Sequence, residues 1–169
     1  MQSTAAPAES LEVLLQAGFR YAISLTHHEA QAEDILQDAW FAVLKASGPH
    51  TKPYLYTAIR SRFFKMYKRE KLVPMLSLDD VSEPAGETLP EDLAIFGRLE
   101  DEQLTMALAS LRAVEREMLF LSAVDEFTAE EIAEITGMPR GTVLSLIHRA
   151  RHKVRSWFEK NNRRSSYGN

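Results

Sequence analysis

The apolar positions of this chain return with a helical period along most of its length. In Leu11–Thr26 and Glu29–Ala46 they recur every third or fourth residue, the spacing at which a 3.6-residue turn stacks side chains on one face. At a step of about 100° per residue, Ala32, Ile35, Leu36, Ala39, Trp40 and Val43 share the core side of the second stretch. The cluster Ser47, Gly48, Pro49 breaks the pattern. A third helix is then predicted over Pro53–Lys71, opening on a proline whose missing amide is no loss in a first turn. Its apolar side is Leu55, Ile59, Phe63 and Met66. Between Pro74 and Pro90 (PMLSLDDVSEPAGETLP) prolines, a glycine, serines and acids replace the periodicity, as in a linker. Beyond it, helices are predicted over Leu93–Ser110, Val114–Val124, Thr128–Thr136 and Arg140–Asn161. No segment alternates with period two for long enough to demand a strand. The fold class is all-α: two small helical domains, residues 1–73 and 92–169, joined by a flexible acidic linker, residues 74–91.

Composition narrows this further. At 169 residues and 45% apolar, the chain can bury the cores of two small domains. It contains no cysteine, which excludes disulfides, thiolate zinc sites and cysteine nucleophiles and agrees with a reducing cytosol. Met1–Glu9 lacks the basic and apolar regions of a signal peptide, and no uninterrupted apolar run approaches the ~18 residues of a membrane span. The expectation is a cytoplasmic protein with no membrane insertion. The formal net charge of −4 argues by itself against a nucleic-acid partner, but the charges are segregated. Arg60, Arg62, Lys65, Lys68, Arg69 and Lys71 stand against Glu70 alone; from Asp79 to Glu102 the charged residues are all acids except Arg98; Arg140 to Arg164 is again cationic, opposed only by Glu159. Two cationic segments flank an anionic one.

The sharpest local signal is TAEEIAEITGMPRGTVLSLIHRARHKVR, Thr128–Arg155. Thr128 and Glu131 form a capping box. Ile132, Ala133 and Ile135 give a short helix its apolar face, Gly137 suits a left-handed helix end, and Pro139 stops that helix from continuing. On the next helix Val143, Ile147, Ala150 and Val154 fall at i, i+4, i+7 and i+11, one packing stripe. The opposite side gathers Ser145, His148, Arg149, His152 and Arg155, hydroxyl, imidazole and guanidinium groups able to reach base edges and phosphates in a major groove. The alternative is an ordinary solvated helix. His148 and His152 have metal-ligand spacing but no third ligand, so no metal is expected.

In the first half, Asp34, Gln37, Asp38 and Phe41 fall at i, i+3, i+4 and i+7 opposite the core face, an aromatic ring set among acceptors, as on a protein docking surface. The third predicted helix (PYLYTAIRSRFFKMYKREK) turns Tyr56, Arg60, Phe64, Tyr67 and Lys68 away from its apolar stripe. Rings that stack on unpaired bases, interleaved with cations that follow phosphates, suit single-stranded nucleic acid; some of these aromatics could equally belong to the core. Asp34 and Asp38 complete no catalytic constellation, for there is no phosphate-binding glycine loop, activated serine or HExxH. No catalytic residue, enzyme activity or cofactor is expected.

These pieces, in this order, resemble the extracytoplasmic-function group of sigma-70 family factors over roughly Leu11–Phe158. AEDILQDAW is similar to its polymerase-binding helix, YLYTAIRSRFF to its promoter-melting helix, and EEIAEITGMPRGTV with HRARHKVR to its C-terminal helix-turn-helix. The resemblance implies that residues 1–73 dock on the β′ clamp helices of core RNA polymerase through Asp34, Gln37, Asp38 and Phe41. It implies that the same domain opens and reads the minus 10 element with Tyr56, Arg60, Arg62, Phe64, Lys65, Tyr67, Lys68 and Arg69. Residues 92–169 would engage the β flap and read the minus 35 element with Arg140, Thr142, Ser145, His148, Arg149, His152 and Arg155. An anti-sigma factor would hold the protein inactive. Some residues depart from the family pattern: Leu144 and Leu146 stand in place of basic residues, Tyr54 of a tryptophan and Ser61 of an asparagine, and Ala46–Lys52 is a shorter loop. Two alternatives share these features: a sigma mimic that sequesters an anti-sigma factor, and a conventional helix-turn-helix regulator.

Overall fold

The structure, a computed structural model, describes residues 10–71 and 102–166, apart from the side chains of 70, 71 and 164–166. The chain divides into two compact units, Met1–Leu76 and Ser77–Asn169. Among the described residues the regular structure is entirely helical. The expected linker, Pro74–Pro90, and positions 93–101 of the helix expected from Leu93 lie outside the described residues.

The first unit is three helices, α1 (Leu11–Thr26), α2 (Glu29–Lys45) and α3 (Lys52–Lys71), each packed on the other two. Ser10 starts α1 by accepting a bond from the Val13 amide at 3.3 Å. The turn into α2 uses two histidines. His27 takes a left-handed conformation, φ 52°, and its amide closes α1 on the Ile23 carbonyl; His28 then caps α2, its Nδ1 accepting from the Gln31 amide at 3.3 Å. The core holds Leu14, Ala17, Tyr21, Ala22 and Leu25 from α1, Ala32, Ile35, Ala39 and Val43 from α2, and Leu55, Tyr56, Ile59 and Phe63 from α3. Gly18 marks the closest approach: a Cβ there would lie 2.9 Å from both Leu36 Cδ1 and Leu55 Cδ2.

The second unit contains α4 (Glu102–Ala109), α5 (Ala113–Leu119), α6 (Ala129–Thr136) and α7 (Arg140–Ser166). The expected regular helix Val114–Val124 instead widens after α5 into a π-helical turn, Phe120–Val124, where the Asp125 amide reaches back to Phe120 O. Met118, Leu119, Phe120 and Leu121 are all buried, more than one face of a regular helix would turn inward. Arg116 closes the end of α4, its guanidinium donating to Leu111 O at 2.6 Å and Leu108 O at 3.4 Å. The last helix outruns its expected end at Asn161. Half-buried Trp157 and Phe158 continue its apolar contact with the cluster Ala107, Leu111, Leu119, Ala150 and Val154.

Candidate nucleic-acid interface

On α2 all four expected docking residues are solvent-exposed and share one face, with the Phe41 ring 69% exposed. One turn further, Leu44 is also exposed, which extends the apolar part of the face beyond what the sequence reading included. Its signal was available: Leu44 lies three residues after Phe41, the interval that keeps side chains on one face.

The outward side of α3 is partly as expected. Lys65, Lys68 and Arg69 are exposed, and Arg60, Arg62, Phe64 and Tyr67 are half-buried. The guanidinium of Arg60 lies 4.5 Å from the centre of the Phe64 ring, a cation–π contact that keeps a charge and a stacking surface side by side. Phe63 anchors the neighbouring rings, edge-on to Phe64 at 5.1 Å and tilted against Tyr67 at 5.8 Å. Tyr56 corrects the expectation. It is fully buried, stacked on Tyr21 with ring centres 4.2 Å apart, and its hydroxyl donates to Ala17 O at 3.3 Å, so it cannot meet an unpaired base. Met66, expected in the core, is only half-buried. The short loop before α3 folds onto the unit, with the Tyr54 ring over Gly48, where a Cβ would clash with Cε1, and the His50 ring 4.9 Å from that of Trp40.

In the second unit the helix-turn-helix forms as its residues dictate. Thr128 and Glu131 close a capping box, the Thr128 amide donating to Glu131 Oε2 at 2.7 Å. Gly137 ends α6 at φ 72°, with its amide on Ala133 O at 2.8 Å, a conformation glycine adopts without steric cost. Val143, Ile147, Ala150 and Val154 are buried as expected. Arg140, His148 and His152 are exposed, and Thr142, Arg149 and Arg155 are half-buried. Arg140 Nε lies 2.7 Å from Glu130 Oε1.

One α7 assignment changes. Ser145 is only 6% exposed, too little for a base edge to reach it. Leu146 is 5% exposed and belongs to the core, so only Leu144, half-buried, alters the outward side. Arg151, half-buried on that side, was missed. Lys153 is drawn the other way, its Nζ 2.7 Å from Oε1 of the fully buried Glu115. Glu115 also accepts from the Arg112 amide at 3.0 Å and lies 3.4 Å from the Arg112 guanidinium. Burial pushes this carboxyl up, but the Lys153 hydrogen bond, the Arg112 amide and the two positive charges outweigh it and leave its pKa below the ordinary value. Among the described residues no group of three His, Asp or Glu side chains could hold a metal, and no helix is long and apolar enough to cross a membrane.

Among the described residues, a capped helix-turn-helix with a cationic second helix and a separate three-helix unit with an exposed stripe on α2 form the arrangement expected of helical transcription factors of the sigma-70 type. Residues 101–154 match the family described as Sigma-70, region 4. The ECF RNA polymerase sigma factor EcfG of Rhodopseudomonas palustris is 28% identical over 139 residues, 79% of this chain and 75% of that protein. The RNA polymerase sigma factor YlaC of Bacillus subtilis is 26% identical over 141 residues, 80% of this chain and 82% of that protein. Among solved structures, the sigma factor RpoE of Bartonella quintana, in complex with the anti-sigma factor NepR, matches with a TM-score of 0.63 and 26% identity over 88% of this chain and 94% of its own. Over about four-fifths of its length the chain is thus similar to sigma factors, several of them of the extracytoplasmic-function group.

Proposed function

We propose that this chain is an alternative sigma factor that binds core RNA polymerase in the cytoplasm, directs it to particular promoters without catalytic chemistry of its own, and is held inactive by an anti-sigma factor. The observation that carries the reading is the exposure, on a unit separate from the helix-turn-helix, of Asp34, Gln37, Asp38 and Phe41 on one face of α2. That face suits the β′ clamp helices: acids and an amide supply orientation, and Phe41 with Leu44 supplies apolar area to bury. In this reading residues 1–73 form the polymerase-binding and minus 10 domain, 74–91 the tether, and 92–169 the minus 35 domain, which also meets the β flap. Arg60, Phe64, Tyr67, Arg62, Lys65, Lys68 and Arg69 engage strand-separated DNA. Arg140, Thr142, His148, Arg149, Arg151, His152 and Arg155 face the minus 35 duplex. An anti-sigma partner is supported by the complex in which the similar Bartonella factor was solved.

Adding the purified chain to core polymerase should give new, promoter-dependent transcripts from genomic DNA, and absence of core binding would reject the reading. Leu144, on the outward side of α7 where the family carries a basic residue, favours a second reading, a sigma mimic. Tight anti-sigma binding with no transcript would select it, whereas operator binding without polymerase would select a conventional regulator.

A further inference from the structure

Arg140 opens α7, where the helix presents unpaired amides and the positive pole of its dipole, and the first turn carries no acid. A guanidinium is disfavoured at that end, so the position asks for a counter-charge. Glu130 supplies it from across the turn: its Oε1 lies 2.7 Å from Arg140 Nε. Glu130 is itself anchored in the first turn of α6, where its own backbone amide first, and then the Arg140 charge, hold its carboxyl below the ordinary value and keep it ionised. Its neighbour Glu131 is committed to Thr128. Two adjacent acids thus divide the work, one closing the cap of α6 and the other reaching the start of α7.

Both partners are exposed, at 58% and 65%, and a pair so solvated contributes little to stability. Its consequence is geometric. Engaging Nε fixes the plane of the guanidinium and leaves the edge formed by its two terminal nitrogens for a second planar acceptor, such as the O6 and N7 of a guanine. We infer that Glu130 is a positioning residue that aims Arg140 at a base edge of the minus 35 duplex. The inference rests on the sigma reading of α7.

The test uses holoenzyme assembled from core polymerase and the full chain, on a promoter first recovered from genomic DNA by the unmodified holoenzyme. Each base pair of its minus 35 region is substituted in turn and transcript yield compared. Arg140→Ala should flatten discrimination at one or two neighbouring base pairs by about fivefold or more. Glu130→Ala should flatten the same base pairs while average yield holds or rises, because an acid near the phosphates has been removed. Glu130→Gln, which keeps a neutral acceptor for Nε, should retain part of the discrimination and serves if the alanine variant folds poorly. The double variant should be no flatter than Arg140→Ala. If Arg140→Ala flattens a position and both Glu130 variants leave it intact, or if they lower yield equally at every base pair, the inference is overturned and the sigma reading stands. If Arg140→Ala changes no position, the reading of this end of α7 fails with it.

Discussion

Phe41→Ala perturbs the α2 face most directly. Burying a phenylalanine side chain fully stabilises by about 1.5–3 kcal/mol. With 69% of the residue exposed in the free chain, covering it in a complex would contribute about two-thirds of that, roughly 1–2 kcal/mol. At about 1.4 kcal/mol per decade, the variant should bind core polymerase about 5- to 30-fold more weakly. The unit itself has little to lose, because so exposed a ring makes few contacts at home, and a surface change of this kind shifts stability by about 0.5 kcal/mol or less. Fluorescence anisotropy of labelled chain titrated with core polymerase measures the first quantity, and a thermal melt of the free chain measures the second. Phe41→Leu should recover most of the loss, since shape matters less than apolar area. Unchanged affinity with an unchanged melt would refute the docking assignment. An early melt would show instead that the ring supports the unit, and the area argument would fall.

Three other outcomes follow from the same geometry. Tyr56→Phe removes the buried bond to Ala17 O and should cost about 1 kcal/mol in unfolding experiments, with promoter opening intact in the folded variant; loss of opening without loss of stability would return Tyr56 to the DNA face. Lys153→Met should destabilise the second unit at neutral pH, because Glu115 keeps its burial and loses the hydrogen bond that most lowers its pKa. A carboxyl depressed in the folded state contributes stability above its unfolded pKa and loses it as pH falls through the folded one. The gap between Lys153→Met and the unmodified chain should therefore narrow below about pH 4.5, the ordinary value, and a gap independent of pH from 7 to 3 would contradict the assignment. Finally, the free chain, with net charge −4, should bind promoter duplex weakly in a gel-shift assay at moderate salt, and tight sequence-specific binding without polymerase would count against the sigma reading.

Where structure follows from short-range pattern, the sequence was a good guide. The bounds of α1, α2, α6 and the start of α7 follow from apolar period, Ser10, the Thr128 box, Gly137 and Pro139, all of which act within four residues of the boundary they set. The errors come from partner geometry. Helix α3 packs on both α1 and α2, so a second column of side chains beside Leu55, Ile59 and Phe63 is covered where all three helices meet, and Tyr56 heads that column. Farther along the same column Arg60 and Phe64 are half-exposed, as expected. Helix α7 likewise meets α4, α5 and α6, and its buried surface widens to take Ser145 and Leu146. The Glu115–Lys153 pair joins residues 38 apart, and the π-helical turn carries no local glycine or proline to announce it. The exposed faces follow the same rule: the exposure of Asp34, Gln37, Asp38 and Phe41 on α2 follows from local period, while on α7, packed against three neighbours, Ser145 is buried and Arg151 half-exposed against expectation.

The cations of α3 and α7, the helices proposed to face DNA, are not a uniform cloud. Arg60 is held over Phe64, Arg140 by Glu130, and Lys153 is turned back to Glu115. Each restraint removes a side chain from non-specific attraction to phosphates and assigns it an orientation, which trades affinity for selectivity. Taken with the overall negative charge, this makes for a weak duplex binder when free. A factor that rides on polymerase does not need more. In the proposed reading, docking of α2 would make the contacts of α3 and α7 intramolecular, with effective concentrations that reach about the millimolar range for short tethers, so individually weak interactions would suffice at both promoter elements. On that reading the exposed stripe on α2 and the restrained cations on α3 and α7 would be parts of one arrangement, in which the protein surface supplies the affinity and the DNA surfaces supply the choice.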